Sequence, residues 1–263
     1  MAIPVFDPIR EFYDKWEMHR LLSQESTAPA KLLATELLSA QSLTRMLKRY
    51  RSVYVKPLGT WGGKQISRID RVAGSDTWRW RRQGRLKASP AYTLAAVRAR
   101  ILRVYLPRHS IVQQAAPVLS IKGRPFDIRV HMQREPDRSW VCAGILVRVS
   151  GTQSIVSNVG ATEGKVLPLA DVTKIVLRSP AIRKQVPISA EQAGLAIAHS
   201  LDRYQDFEEI GVDLGLGRKG KLWVFEVNTN DRFGSPSQKL FLQLPDQTIY
   251  QRMRARTPHR IPT

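Results

Sequence analysis

Cysteine is nearly absent from this chain, since Cys142 is the single one among 263 residues. One cysteine cannot form a disulfide within the chain, and no group of cysteines and histidines has the spacing of a zinc site. These absences exclude a disulfide scaffold and a zinc finger. Cys142 lies in an apolar run over residues 140–147, so we expect a buried core thiol rather than a reactive one.

Long apolar runs are also missing. No stretch approaches the roughly 20 apolar residues that a membrane-spanning helix needs. The first seven residues do not combine a basic segment with an apolar one, as a secretory leader does. We therefore expect a soluble, cytoplasmic protein that does not enter a membrane.

Acidic residues are scarce relative to basic ones. The chain has 22 Asp and Glu against 42 Lys and Arg, which gives a formal net charge of +20. This balance favours anionic partners such as nucleotides, phosphates, acidic peptides or nucleic acid, but it does not select among them. A hydrophobic fraction of 43% is typical of a globular protein.

Among the patterns that are present, a hairpin near the C-terminal end is the most informative. Residues 209–216 and 221–228 are rich in β-forming side chains and flank the polar connector 217–220, which predicts a β-hairpin. We expect Leu216 to pair with Lys221 across a four-residue loop.

This register predicts a metal site. Asp213 then lies opposite Val224, and Glu226 and Asn228 share its face because side chains alternate along a strand. Two carboxylates and an amide oxygen suit Mg²⁺ or Mn²⁺. A solvated polar face is the alternative, but the apolar neighbours of these residues favour a metal site.

A glycine-rich segment predicts a phosphate-binding loop between two strands. Lys56 ends the first strand, and Lys64 closes the loop. Three glycines within five residues allow the backbone N–H groups to approach an anion, although ordinary hairpin turns use glycine too. The glycines are Gly59, Gly62 and Gly63.

Tryptophan and arginine alternate from Trp78 to Arg81, which predicts a strand with tryptophans on one face and arginines on the other. Basic residues between aromatic ones can bind nucleic acid. An edge strand whose tryptophans are packed is the alternative, and we favour it.

The remaining patterns predict an α+β protein. We expect helices over residues 8–22, 30–38, 42–50, 91–104 and 188–201. A second sheet begins at residue 123, and Asp127 and Arg129 share a face of its first strand, where a simple ion pair between them is the plainest interpretation. We predict four parts: an N-terminal helical segment over 1–50, a small lobe over 51–112, a large lobe over 113–250 and a basic tail over 251–263.

Several ordered motifs together resemble the ATP-grasp superfamily, and more narrowly the YheC/YheD family of spore-coat-associated proteins. They are Asp-Lys-Trp-Glu-Met-His at 14–19, Val-Lys-Pro-x-Gly-x-Trp-Gly at 55–62, Gln-Gln at 113–114, Asp-Ile-Arg at 127–129, Ser-Asn-Val at 157–159, Gly-Val-Asp at 211–213 and Glu-Val-Asn at 226–228. The Gly-Gly pair expected after Asn158 is missing, since Val159 and Gly160 follow it.

The resemblance implies an ATP-grasp fold of two α+β lobes that hold ATP and Mg²⁺ between them. It implies that Lys15 and Lys56 contact the phosphates, and that Arg129 and Arg148 face the transferred phosphoryl group. The loop that would close over the phosphates comprises Gly59, Trp61, Gly62, Gly63 and Lys64. The backbone that would meet adenine comprises Gln113, Gln114, Ala115 and Ala116. The residues that would hold the metal ions are Asp213, Glu226 and Asn228.

The resemblance also implies an activity. Superfamily members phosphorylate a carboxylate and let an amine attack it, so we expect a carboxylate–amine ligase that acts on a peptide or an acidic metabolite. The alternative is a spore-associated structural protein that binds a nucleotide or anion without chemistry. Only about a dozen residues precede Lys15, so we expect the usual N-terminal domain to be short or absent. We then expect a partner protein or a second copy to supply that surface.

Overall fold

A computed structural model describes residues 6–7, 12–60, 63–85, 88–152, 154–157, 164–229 and 236–256. Its helices are α1 (Lys15–Ser23), α2 (Ala40–Arg49), α3 (Leu94–Tyr105), α4 (Leu169–Val176), α5 (Pro180–Leu201), α6 (Pro236–Lys239) and α7 (Thr248–Arg256).

The strands form two large sheets and one short pair. They are β1 (Phe6–Asp7), β2 (Phe12–Tyr13), β3 (Lys31–Leu32), β4 (Thr35–Leu37), β5 (Ser52–Pro57), β6 (Ser67–Arg71), β7 (Thr77–Arg82), β8 (Tyr92–Thr93), β9 (Ser110–Gln114), β10 (Ser120–Ile121), β11 (Arg124–Arg134), β12 (Trp140–Val149), β13 (Lys165–Leu167), β14 (Glu209–Leu216) and β15 (Leu222–Asn228). The small lobe has the strand order β4-β9-β5-β6-β7-β8, and the large lobe has β13-β12-β11-β14-β15-β3 with β10 beside β11.

Helices α2 and α3 cover one face of the small sheet, where Leu43, Val53 and Ile101 are fully buried. The helix predicted over 42–50 is α2, which starts two residues earlier than expected, and residue 42 has no acidic side chain to complete a capping box. Ser39 is the N-cap, and its N–H donates to the Ser42 hydroxyl at 2.8 Å while Ser42 N–H returns a bond to Ser39 Oγ. A hydroxyl therefore takes the place of the acid in the capping box.

Helices α1, α4 and α5 pack on one face of the large sheet, around Ile128, Val130 and Val212. The opposite face carries a smaller cluster in which Phe241 and Met253, a residue of α7, are fully buried. Part of the predicted basic tail is thus a helix packed on the sheet. Residues 257–263 lie outside the described part of the chain.

The N-terminal elements are shared between the lobes. Helix α1 packs in the large lobe, β3 pairs in parallel with β15, and β4 pairs with β9 of the small sheet. The predicted helix over 30–38 is wrong, because pairing with distant strands outweighs local helix propensity there. The four domain boundaries stay a prediction.

Candidate active site

The predicted hairpin is present, but its register is wrong. Leu216 pairs with Leu222 rather than with Lys221, so the connection is one residue longer than expected. A short 3₁₀ turn fills it, and Gly217 N–H donates to the carbonyl oxygen of Lys221 at 2.7 Å.

A β-bulge between Asp213 and Leu214 shifts the pairing by one further residue. Leu214 lies opposite Val224, whereas Asp213 lies opposite Glu226. A shift of one residue moves a side chain to the other face of the hairpin, and a second shift returns it. Asp213 and Glu226 therefore share a face as predicted. Asn228 is on this face as well, and its Nδ2 donates to Asp213 Oδ2 at 3.2 Å.

Two arginines hold Asp213. Arg129, directly opposite it on β11, places Nε 2.5 Å from Oδ1 and Nη2 3.2 Å from Oδ2. Arg148 places Nη2 2.8 Å from Oδ2. Burial disfavours the ionised carboxylate, but the two guanidinium groups outweigh this effect and lower the pKa of Asp213.

Asp127 is the second carboxylate of this network, and the sequence pattern assigned it the wrong partner. It pairs with Arg148 rather than with Arg129, through Arg148 Nε and Nη2, each at 2.8 Å. The hydroxyl of Ser157 donates to the same carboxylate. Burial raises the pKa of Asp127 although Arg148 opposes it. Asp127 and Ser157 were not among the predicted site residues, although both lie in motifs that carry the family resemblance.

Lys15 joins the hairpin to the glycine-rich loop. It is the first residue of α1, whose N-cap Asp14 accepts from Trp16 N–H and Glu17 N–H. Its Nζ lies 3.7 Å from Glu226 Oε1 and donates to the carbonyl oxygen of Thr60. The Glu226 side chain is 38% exposed and that of Asp213 is 7% exposed, so Glu226 is the carboxylate that solvent reaches.

Lys56 lies at the end of β5 and donates to Gln113 Oε1 at 2.7 Å. Gln113 is itself fixed, because its Nε2 donates to Thr35 Oγ1 at 3.0 Å. Burial lowers the pKa of Lys56 to about 8, although the charge of Glu226 opposes the shift. Lys56 is therefore a lysine whose charge depends on pH in the neutral to alkaline range.

The glycine-rich loop is described in part. Gly63 has a φ of 74°, which favours glycine. Gly59 and Lys64 are exposed, as a loop that closes over a ligand requires. Trp61 and Gly62, which we also expect at the phosphates, lie outside the described residues.

The predicted adenine-binding segment connects the two sheets. Gln114 N–H donates to the carbonyl oxygen of Ala34 at 2.8 Å, and Ala115 N–H donates to that of Ser52 at 3.0 Å. Leu119 N–H then donates to the carbonyl oxygen of Leu216 in the large sheet at 2.8 Å. The role of this segment, including Ala116, stays a prediction.

The predicted metal ligands fit a hard cation in their donor chemistry, because they bring two carboxylates and an amide to one face of the hairpin. In the described part of the chain, no group of three or more His, Cys, Asp and Glu side chains is arranged to hold a metal ion. Both oxygens of Asp213 accept from arginines, so a metal ion would share Asp213 with them.

Cys142 is half-buried, and burial raises the pKa of its thiol to about 12. The thiol is therefore protonated at neutral pH and a poor nucleophile. The low reactivity agrees with the expected core thiol, but the expected full burial does not, since Cys142 is only partly buried against the core.

Two α+β lobes, joined by a linker and bearing lysines, arginines and carboxylates on facing surfaces, define the ATP-grasp fold. The crystal structure of the D-cycloserine synthetase DcsG shares this fold, with a TM-score of 0.53 and 16% identity over 92% of this chain and 69% of that one. The N5-carboxyaminoimidazole ribonucleotide synthetase from Thermotoga maritima gives a TM-score of 0.48 at 10% identity, over 95% of this chain and 49% of that one.

A family model described as YheC/D like ATP-grasp matches residues 2–258, and the chain belongs to this family. The endospore coat-associated protein YheD of Bacillus subtilis (strain 168) is 30% identical over 231 residues, which are 86% of this chain and 49% of that protein. The chain thus spans about half the length of this relative. Within the described residues, no helix has the length and apolar character to cross a membrane.

Proposed function

We propose that the protein is an ATP- and Mg²⁺-dependent ligase that joins a carboxylate to an amine through an acyl phosphate. The observation that supports this most is the convergence of Lys15 from α1 and Lys56 from the small sheet on Glu226 of the hairpin. Phosphoryl transfer depends on positioned charges more than on a protein nucleophile. The set of cations and carboxylates here suits that requirement.

Each half of the reaction has its own cations. In the first half, a carboxylate oxygen of the acid attacks the γ-phosphorus of ATP and ADP leaves. In the second, the amine nitrogen attacks the acyl carbon, phosphate leaves and the nitrogen loses a proton. Lys15 and Lys56 would bind phosphate oxygens of ATP, and Arg129 and Arg148 would neutralise the transferred phosphoryl group.

Asp213, Glu226 and Asn228 would hold Mg²⁺ or Mn²⁺, which neutralises phosphate charge when bound. The loop from Gly59 to Lys64 would exclude water from the phosphates. The backbone over residues 113–116 would bind adenine. The acid is a peptide or an acidic metabolite.

Product formation tests this proposal. The full chain is incubated with ATP, MgCl₂ and pooled acids and amines, and phosphate release and new amide masses are measured. We expect release that needs both an acid and an amine, and a loss of about 100-fold or more in Glu226→Gln, the usual scale for removing a positioned electrostatic group. Glu191→Gln, at an exposed position of α5, is the control. Unchanged turnover in Glu226→Gln, or release that needs no amine, would contradict the assignment.

A second candidate is a structural role in the spore, in which the site binds a nucleotide or anion without chemistry. The observation that favours it is the endospore coat association stated for the relative from Bacillus subtilis. Nucleotide binding without amide product or ADP release, across the same pools, would favour this role.

A further inference from the structure

The alternating Trp and Arg residues of β7 have no part in the function proposed above. Trp78 is buried, and Trp80 donates through Nε1 to Ser67 Oγ at 2.6 Å. Both pack in the core beneath α2 and α3. Both rings therefore lie on the core side of the strand, whereas Arg79 and Arg81 occupy the opposite face and have no ring of that strand beside them on which bases could stack.

That opposite face looks into the cleft between the lobes. The strand register places Tyr54 on β5, Arg68 on β6 and Arg81 on β7 side by side across the sheet. Lys56 Nζ lies 6.0 Å and Arg68 Cζ 5.6 Å from the centre of the Tyr54 ring, so the phosphate-site lysine and Arg68 share a neighbour. Tyr54 OH donates to the carbonyl oxygen of Ile155, in the large-lobe loop that follows β12, at 3.0 Å.

The positive charge on this face of the sheet is only partly balanced by acidic side chains. Asp70 accepts from Arg68 Nε at 2.7 Å and from Arg81 Nη2 at 3.2 Å, and Arg79 lies directly opposite it in the register. On this face, strands β6 and β7 carry three arginines, Arg68, Arg79 and Arg81, against this single acidic residue. The side chains of Arg68 and Arg81 are 30% and 40% exposed. They are positioned by Asp70 and can still meet a ligand.

The whole small lobe likewise has far more basic than acidic residues. From Thr35 to Gln114 the sequence has 17 Lys and Arg against three Asp and Glu. A cleft wall with an excess of one sign concentrates ligands of the other sign.

We propose that Arg68, Arg79 and Arg81, named here the arginine row, bind carboxylates of a polyacidic peptide substrate. The guanidinium group suits carboxylate oxygens because it presents paired N–H donors in one plane. The proposal rests on the ligase function above, and it narrows the acid substrate to a peptide with several carboxylates, one of which reacts beside Arg129 and Arg148.

Calorimetry with a defined probe tests the proposal. The probe is an acetylated, amidated tetraglutamate peptide, titrated into the full chain with MgADP present, and the tetraglutamine peptide is its uncharged counterpart. The test variant is Arg68→Gln with Arg81→Gln. The control is Lys48→Gln with Arg103→Gln, which removes two exposed charges from the helices on the other face of the same sheet.

We expect the test variant to bind tetraglutamate about tenfold or more weakly, since each lost charge-assisted hydrogen bond is costly. The control should change the affinity by less than about twofold, because exposed distant charges are screened. MgADP affinity should be unchanged in both variants. If the double variant does not fold, Arg79→Glu at an exposed position replaces it and should weaken binding as strongly.

Three results with the peptides would overturn the arginine row as a peptide site. They are equal losses in the test and control variants, tetraglutamine bound as tightly as tetraglutamate, and no tetraglutamate binding by a wild type that binds MgADP. Octathymidylate, a single-stranded DNA probe, is titrated into the same proteins. If the test variant loses octathymidylate binding but keeps tetraglutamate binding, this fourth result would overturn the proposal in favour of nucleic acid. Failure of the wild type to bind MgADP would instead count against the ligase function.

Discussion

Charge balance governs the centre of the site at the scale of single residues. Arg148 bridges Asp127 and Asp213, and Arg129 binds Asp213 from the other side. The two arginines and two aspartates cancel one another, which leaves Glu226 as the carboxylate that solvent reaches. Buried ion pairs contribute little net stability, but breaking one leaves an uncompensated charge.

Substitution of Asp127 tests this balance. Asp127→Asn should destabilise the fold by about 3 kcal/mol, since Arg148 loses a bidentate partner in a buried place. It should also bind metal-free ADP more tightly, because the network gains net positive charge, and bind Mn²⁺ more weakly. Urea unfolding and calorimetry with EDTA or Mn²⁺ measure these effects. Weaker binding of both ligands would indicate simple damage to the structure instead.

The phosphate-binding role proposed for Lys56 predicts that nucleotide binding depends on pH. Its pKa is lowered to about 8, so it loses its proton as the pH rises through that value and can then no longer neutralise a phosphate. MgADP affinity should fall between pH 7.5 and 9, by up to about tenfold per pH unit above the pKa. Lys56→Arg should bind with a flat profile, because arginine stays charged. If MgADP affinity falls with pH to the same extent in the wild type and in Lys56→Arg, Lys56 does not have this role.

At the scale of elements, the bulge in the β14–β15 hairpin sets the site. Phe225 is the extra residue on β15, between Val224 and Glu226, and its ring lies over Gly215. A Cβ added at Gly215 would lie 2.2 Å from Phe225 Cζ and 2.8 Å from Val118 Cγ1. Glycine at this position makes room for the bulge.

Gly215→Ala should therefore destabilise the protein by about 1–3 kcal/mol through overpacking. It should also weaken Mn²⁺-dependent ADP binding, because displacement of Phe225 alters the pairing of Asp213 with Glu226. Adding Phe225→Ala should restore part of the stability, and Phe225→Ala alone serves as the control. If the double variant loses as much stability as the two single variants together, the position of the Phe225 ring does not depend on Gly215.

The hairpin shows what local pattern can and cannot predict. Glu226 and Asn228 were placed on one face because alternation along a strand is a property of the backbone. The pairing register between β14 and β15 was not predicted correctly, because the turn length and the bulge depend on how Phe225 and Gly215 fit together. The partner of Asp127 escaped prediction for a related reason, since Arg148 is directly opposite it on a strand that begins beyond a loop.

At the scale of the molecule, the lobes are connected in several places. The linker after β9, the Lys15 contact with Thr60, and the Ile155 contact with Tyr54 all join them. The ordered motifs predicted two lobes and the family. They did not predict that β3 and β4 would extend separate sheets, because those partners lie far along the chain.

We expect the site to bind a nucleotide through a metal ion, and calorimetry of MgADP measures that binding. The wild type is compared with Glu226→Gln, with Asp213→Asn plus Glu226→Gln, and with the charge-matched control Asp171→Asn plus Glu191→Gln, both at exposed helix positions. We predict binding that needs the metal ion and is unchanged in the control. In Glu226→Gln it should fall at least about tenfold, because loss of even an outer-shell partner of a metal ion costs about 10- to 100-fold. MgADP binding that is as tight in both site variants as in the wild type would contradict the account.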